Sequence, residues 1–231
     1  RGVGDAACDA ALAPLTSSAS SAAAIAWSDP ARAAAFAVWL AAVGPRHALV
    51  ASSLRPASAD ASFRRYFRAD RAGGGSFVVM DAPPPREDVR PFLHVAALIA
   101  AAGLHAPRVL ESDVVQGFLL LDDLGDALYL GALQRAQADG EPARADRLMR
   151  DAIAALVVLQ LKVPGAALPP YDEALLRREL ELFPEWCVAR ECGASWGDAE
   201  AAIWRRTCDV LVAAALAQPR VAVHRDWMPR N

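Results

Sequence analysis

The apolar residues change period partway along the chain, from short alternating or fully apolar runs to a helical repeat. Residues 30–43 place Phe36, Trp39, Leu40 and Val43 at helical spacing. Ser28 or Asp29 supplies an N-cap, Pro30 suits the first turn, and Gly44-Pro45 is a stop signal. Residues 61–68 read ASFRRYFR, so Phe63, Arg65 and Phe67 share one face of a predicted strand. Arg64, Tyr66 and Arg68 take the other face. Three consecutive glycines within 71–76 predict a hairpin turn, and FVVM at 77–80 a buried strand ended by the prolines at 83–85. Residues 87–101 read as a helix striped by Val89, Leu93, Ala97 and Ala100, followed by short strands at 108–111 and 117–121.

From about residue 143 the period is 3.6. Met149, Ile153, Leu156 and Gln160 form one stripe; Leu176, Leu180, Phe183 and Cys187 a second; Trp204, Cys208, Leu211 and Ala215 a third. Strands first and helices second predict an α+β protein of two lobes with a cleft where they meet, the kind of place ligands prefer. The expected division is an Ala/Ser-rich, poorly ordered lead-in at 1–26, an N-terminal lobe at 27–125 and a helical C-terminal lobe at 126–231.

Composition narrows the function. With 231 residues, a formal net charge of −3 and a pI near 5.8, the chain offers no global attraction to nucleic acid or an anionic membrane. The apolar run at 31–43 contains Arg32 and is too short to span a bilayer, which takes about 20 residues. Cys8, Cys187, Cys192 and Cys208 fit neither a disulfide framework nor C-x-x-C spacing, so they read as reduced thiols of a cytoplasmic protein. Lys162 is the only lysine, which excludes any mechanism that needs a lysine elsewhere.

The chemistry concentrates at the end. After the β-branched run at 221–223, read as a strand end, come His224-Arg225-Asp226-Trp227-Met228-Pro229-Arg230-Asn231. This is H-R-D-x-x-x-x-N, the catalytic-loop pattern of kinases. Asp226 is the candidate base for an acceptor hydroxyl, Asn231 the candidate magnesium ligand, and Arg225 a partner for an anionic group. His224 is expected to brace the loop. A strand running into Asp122, Asp123 and Leu124 suits a hinge whose backbone meets an adenine edge. No lysine follows FVV, where Met80 and Asp81 stand, so Ser62, Phe63, Arg64 and Arg65 are the candidate phosphate cover. Arg64 or Arg65 would be the forked donor. The alternative is a basic edge strand facing water.

Several stretches together resemble the aminoglycoside phosphotransferase family. They are SADASFRRYF at 58–67, VMDAPP at 79–84, GFLLLDDLG at 117–125, LPPYD at 168–172, ELELFPEW at 179–186 and the final loop. The likeness is strongest to the family's bacterial anomeric amino-sugar kinases of cell-wall recycling, and it runs from about residue 34 onward. It implies a two-lobed protein-kinase-like fold, ATP as co-substrate, magnesium, and transfer to the C1 hydroxyl of N-acetylmuramate or N-acetylglucosamine. It also places Asp172, Glu179, Glu181 and Trp186 in the acceptor segment. Asp172 equally suits a helix first turn, Glu179 and Glu181 could face water, and Trp186 could be core. A monomer is expected. The chain reads as stopping before the metal-binding Asp that follows the loop in such folds, so it is expected to be inactive by itself. The alternatives are an aminoglycoside or other small-molecule kinase and a non-catalytic nucleotide-binding module.

Overall fold

The computed structural model describes residues 25–59 and 63–230. Apart from Ile25 and Ala26, the predicted lead-in lies outside them. The chain divides into two units: residues up to Glu87 with Leu110–Asp123, and Asp88–Val109 with Leu124 onward. Residues 88–109, read from sequence as part of the N-terminal lobe, thus belong to the second unit.

The first unit is a helix on a sheet. Helix α1 (Pro30–Val43) starts at Asp29, whose side chain accepts from the Ala31 amide at 2.9 Å. Strands β1 (Arg55–Ala59), β2 (Arg65–Asp70), β3 (Ser76–Asp81), β4 (Val109–Asp113) and β5 (Phe118–Asp122) form one sheet in the order β1-β2-β3-β5-β4. Antiparallel register sets Phe67 against Val79 and Val79 against Leu120. Those side chains therefore share a face, where they bury with Phe36 and Leu40 of α1. Phe36 sits among aromatic rings, with centroids 5.1 Å from Trp27, 5.5 Å from Phe67 and 5.4 Å from Phe118. Ile25 packs on this cluster, so the chain is already tied down there.

Parity also fixes Asp81. It lies opposite Arg65 on β2 and Phe118 on β5, on the face that α1 covers. The strand's exit is closed by backbone: the Ala82 amide donates to Gly117 O at 2.9 Å. Gly117 has φ +71°, and a Cβ there would lie 2.0 Å from Ala82 O. Only glycine fits.

The second unit is helical: α2 (Arg90–Ala101), α3 (Tyr129–Ala138), α4 (Pro142–Lys162), α5 (Glu173–Leu180) and α6 (Asp198–Leu216). Between α5 and α6, Phe183–Glu191 winds as a π-helix, the Cys192 amide reaching back five residues to Cys187 O at 3.0 Å. Ala102, Leu159, Val163 and Ala222 form a small core with Leu98, Ile99, Leu104 and Leu168 packed on it. The predicted stripes only partly face inward. On α4, Leu159 is buried while Met149 and Ile153 are exposed; on α6, Cys208 and Val212 are buried while Leu211 is exposed. Residues 221–223, predicted as a strand end, are irregular and join no strand among the described residues.

Candidate active site

The loop predicted to carry the chemistry is held from both sides within the second unit. Upstream, Ala222 is buried against Leu159 and Val163. Downstream, Pro229 O accepts from the Leu130 amide in the first turn of α3 at 2.8 Å. Between these anchors Arg225 adopts φ +71°, a left-handed conformation that a non-glycine residue rarely keeps without help. Within the turn the His224 ring lies edge-on to that of Trp227, their centroids 4.9 Å apart. Asp226 is exposed on this loop. Asn231 lies outside the described residues.

The Arg225 side chain meets α5 and the residue just before its cap. Its Nη2 donates to Glu179 Oε1 at 2.5 Å, and the other carboxylate oxygen of Glu179 accepts the Tyr171 hydroxyl. The Arg225 guanidinium also lies 5.8 Å from the centre of the Tyr171 ring. Helix α5 is set for this by its ends and flank. Asp172 is its N-cap, accepting from the Leu175 amide at 3.0 Å. Arg177 donates to Glu173 at 2.8 Å and to Asp209 of α6 at 2.9 Å, linking the two helices. The Tyr171 hydrogen bond, then those of Arg225 and the charges of Arg225 and Arg178, hold the Glu179 carboxyl below its usual range against the effect of burial. In return the Glu179 bond, with burial and the Glu179 charge, raises the Tyr171 phenol.

Two sequence-predicted residues, Arg225 and Glu179, are thus in direct contact, and Glu179 is shared with a third, Tyr171, which the sequence marks only as part of LPPYD. Asp172 takes the capping role left open for it. Glu181 is exposed just past α5. Trp186 is not core: it is 53% exposed in the π-helical turn, with the Arg190 guanidinium 4.0 Å over its ring.

Most of the described candidate nucleotide residues, all in the first unit except Leu124, have partners within the protein. Ser62 lies outside the described residues. Phe63 is exposed, its amide donating to Glu87 Oε1 at 3.1 Å, and Arg64 donates to Glu87 Oε2 at 3.0 Å. The Arg65 guanidinium donates twice to Asp81 and once to Ala26 O, and it stacks 3.9 Å from the Trp27 ring centre. Arg32 of α1 completes the group, donating to the other Asp81 oxygen at 3.0 and 2.5 Å. The fork that a phosphate would need from Arg65 is therefore engaged by a fully buried carboxylate. Met80 is also fully buried. Asp122 ends β5, while Asp123 accepts from Arg68 at 2.5 and 3.0 Å and from Ser76 at 2.6 Å. Leu124 is exposed. No cluster of three His, Cys, Asp or Glu suited to a metal occurs among the described residues. No helix among them is long and apolar enough to cross a membrane.

The strand-first, helix-second architecture and the terminal loop fit a kinase-like fold. Residues 53–231 match the phosphotransferase enzyme family (APH), and the chain belongs to that family. Over 180 residues it is 54% identical to an N-acetylmuramate/N-acetylglucosamine kinase of Pseudomonas aeruginosa, covering 78% of this chain and 51% of that protein. Proteins of the same description in Neisseria meningitidis (44% over 175 residues; 76% and 51% covered) and Caulobacter vibrioides (32% over 208 residues; 74% and 55% covered) are also similar. The chain spans about half the length of the relatives it matches.

Proposed function

We propose that the protein carrying this chain is a cytoplasmic, monomeric, ATP-dependent kinase of amino sugars that phosphorylates the anomeric hydroxyl of N-acetylmuramate or N-acetylglucosamine. The observation that carries this reading is the H-R-D loop itself, held at both ends and presenting Asp226 on the surface of the second unit. Relatives described as kinases of these two sugars match about three quarters of the chain. Asp226 orients the acceptor hydroxyl and takes its proton as the bond to the γ-phosphorus forms, while the bond from that phosphorus to the β,γ-bridging oxygen breaks and ADP leaves. An anomeric hydroxyl is more acidic than an ordinary alcohol, so the base is asked for little and positioning dominates the rate.

Backbone groups at 122–124 face the adenine edge in this reading. Magnesium, when bound, would neutralise charge on the phosphates, and it takes oxygen ligands. The Asn231 carboxamide is the ligand the motif supplies. Glu181 and Trp186, both exposed and close in sequence, remain acceptor contacts, whereas Arg65 supports β2 from within.

The test is a coupled assay of ADP release by the chain extended to the length of its relatives, with N-acetylmuramate, N-acetylglucosamine and kanamycin as acceptors. Turnover is expected with the two sugars, and Asp226→Asn should lower kcat by about 10²–10⁴ while nucleotide affinity holds. Turnover with kanamycin alone would make it an aminoglycoside kinase. Nucleotide binding without turnover would make it a binding module.

A further inference from the structure

We propose that Glu179, backed by Tyr171, is a positioning residue: it holds the Arg225 guanidinium and thereby fixes the backbone that carries Asp226. This rests on the phosphotransfer reading above and deepens it, moving Glu179 from the acceptor contacts to the support of the base.

Three observations carry it. Both Glu179 oxygens already accept a hydrogen bond, one from Arg225 Nη2 and the other from the Tyr171 hydroxyl, so the carboxylate is oriented by the protein's own groups. Arg225 sits at φ +71°, a strained conformation that persists only where its surroundings over-determine it, and the next residue is Asp226. The groups meet from distant parts of the chain, Glu179 and Arg225 being 46 residues apart, on a helix already fixed by its Asp172 cap and its Arg177 link to α6. A pair this exposed adds little to stability. Its effect is on orientation, and a misplacement of about 1 Å can cost about 10²-fold in rate.

Among the described residues, the charged and titratable groups that act on Glu179 are Tyr171, Arg225 and Arg178. Removing the Tyr171 hydroxyl lets the Glu179 carboxyl rise toward its ordinary value, so the contact with Arg225 is lost at a higher pH on acidification.

The experiment uses the chain at the full length of its relatives, with two readouts. In steady-state kinetics with ATP and either sugar, Glu179→Gln should lower kcat about tenfold or more with the sugar KM within about twofold. Tyr171→Phe should lower it less and move the acid limb of the kcat profile upward. A raised sugar KM with kcat retained would make Glu179 a sugar contact and overturn the proposal. In hydrogen exchange without substrate, amides at 224–228 should exchange faster in Glu179→Gln than in the parent. Unchanged exchange overturns the positioning role whatever the kinetics. Should the parent show no sugar-dependent turnover while the exchange difference holds, the phosphotransfer reading fails and the contact stands.

Discussion

Arg65 in the first unit and Arg225 in the second each grip a carboxylate, but in opposite solvent environments. Asp81 is fully buried and shared by Arg32 and Arg65, which arrive from a helix and a neighbouring strand and lie against Phe118 and Trp27. Glu179 is 34% exposed and shared by Arg225 and a tyrosine. Removing one partner of the buried group strands charge away from water, whereas water readily replaces a partner of the exposed one. One arrangement holds an architecture together and the other aims a loop.

Substitutions can break or sharpen that contrast. Asp81→Ala should have the largest effect, about 3–5 kcal/mol by urea denaturation, because two guanidinium groups lose their shared counter-charge. Replacing Asp81, Arg32 and Arg65 together with apolar residues of similar volume should recover most of that loss. If the triple variant is as unstable as the single one, burial of unpaired charge is the wrong explanation. Asp172→Ala removes the α5 N-cap and should cost about 1 kcal/mol, with Asp172→Asn nearly silent.

The smallest effect on stability belongs to Glu179→Gln, under about 1 kcal/mol at neutral pH. Its pH dependence has a definite sign. Tyr171 and Arg225 hold the folded-state carboxyl below its ordinary value. The contribution is therefore complete above that ordinary value and lost as pH falls through the lower folded one. The difference between parent and variant should shrink on acidification; a difference that grows would contradict the pairing.

Much of the first unit was legible because alternation is a local signal. Phe67, Phe77, Val79, Phe118 and Leu120 follow strand parity, and the structure buries them on one face. Strand β1 escaped notice because RPASA contains a proline and no alternating large residues, as edge strands often do. The partners of Asp81 were beyond reach: parity places its side chain on the α1 face, but nothing local announces that Arg32, 49 residues away, will meet it there. In the second unit the 3.6 repeat located α4 and α6 but only partly caught the buried side: Cys208 is buried and Leu156 and Trp204 half-buried, whereas Met149, Ile153 and Leu211 are apolar and exposed. At the candidate site, motif spacing singled out Arg225 and Asp226. Tyr171 left only a faint trace: it stands beside the Asp172 cap, eight residues before Glu179, about two helical turns.

Gly117 gives the first unit a point of failure remote from any polar chemistry. Its missing side chain is what lets the β4–β5 turn close against the Ala82 carbonyl, one residue past Asp81. A single added methyl would push on that peptide and so displace a carboxylate to which it has no bond. Damage to the buried ionic centre can thus arrive through main-chain crowding alone, from a substitution that leaves every charged residue in place.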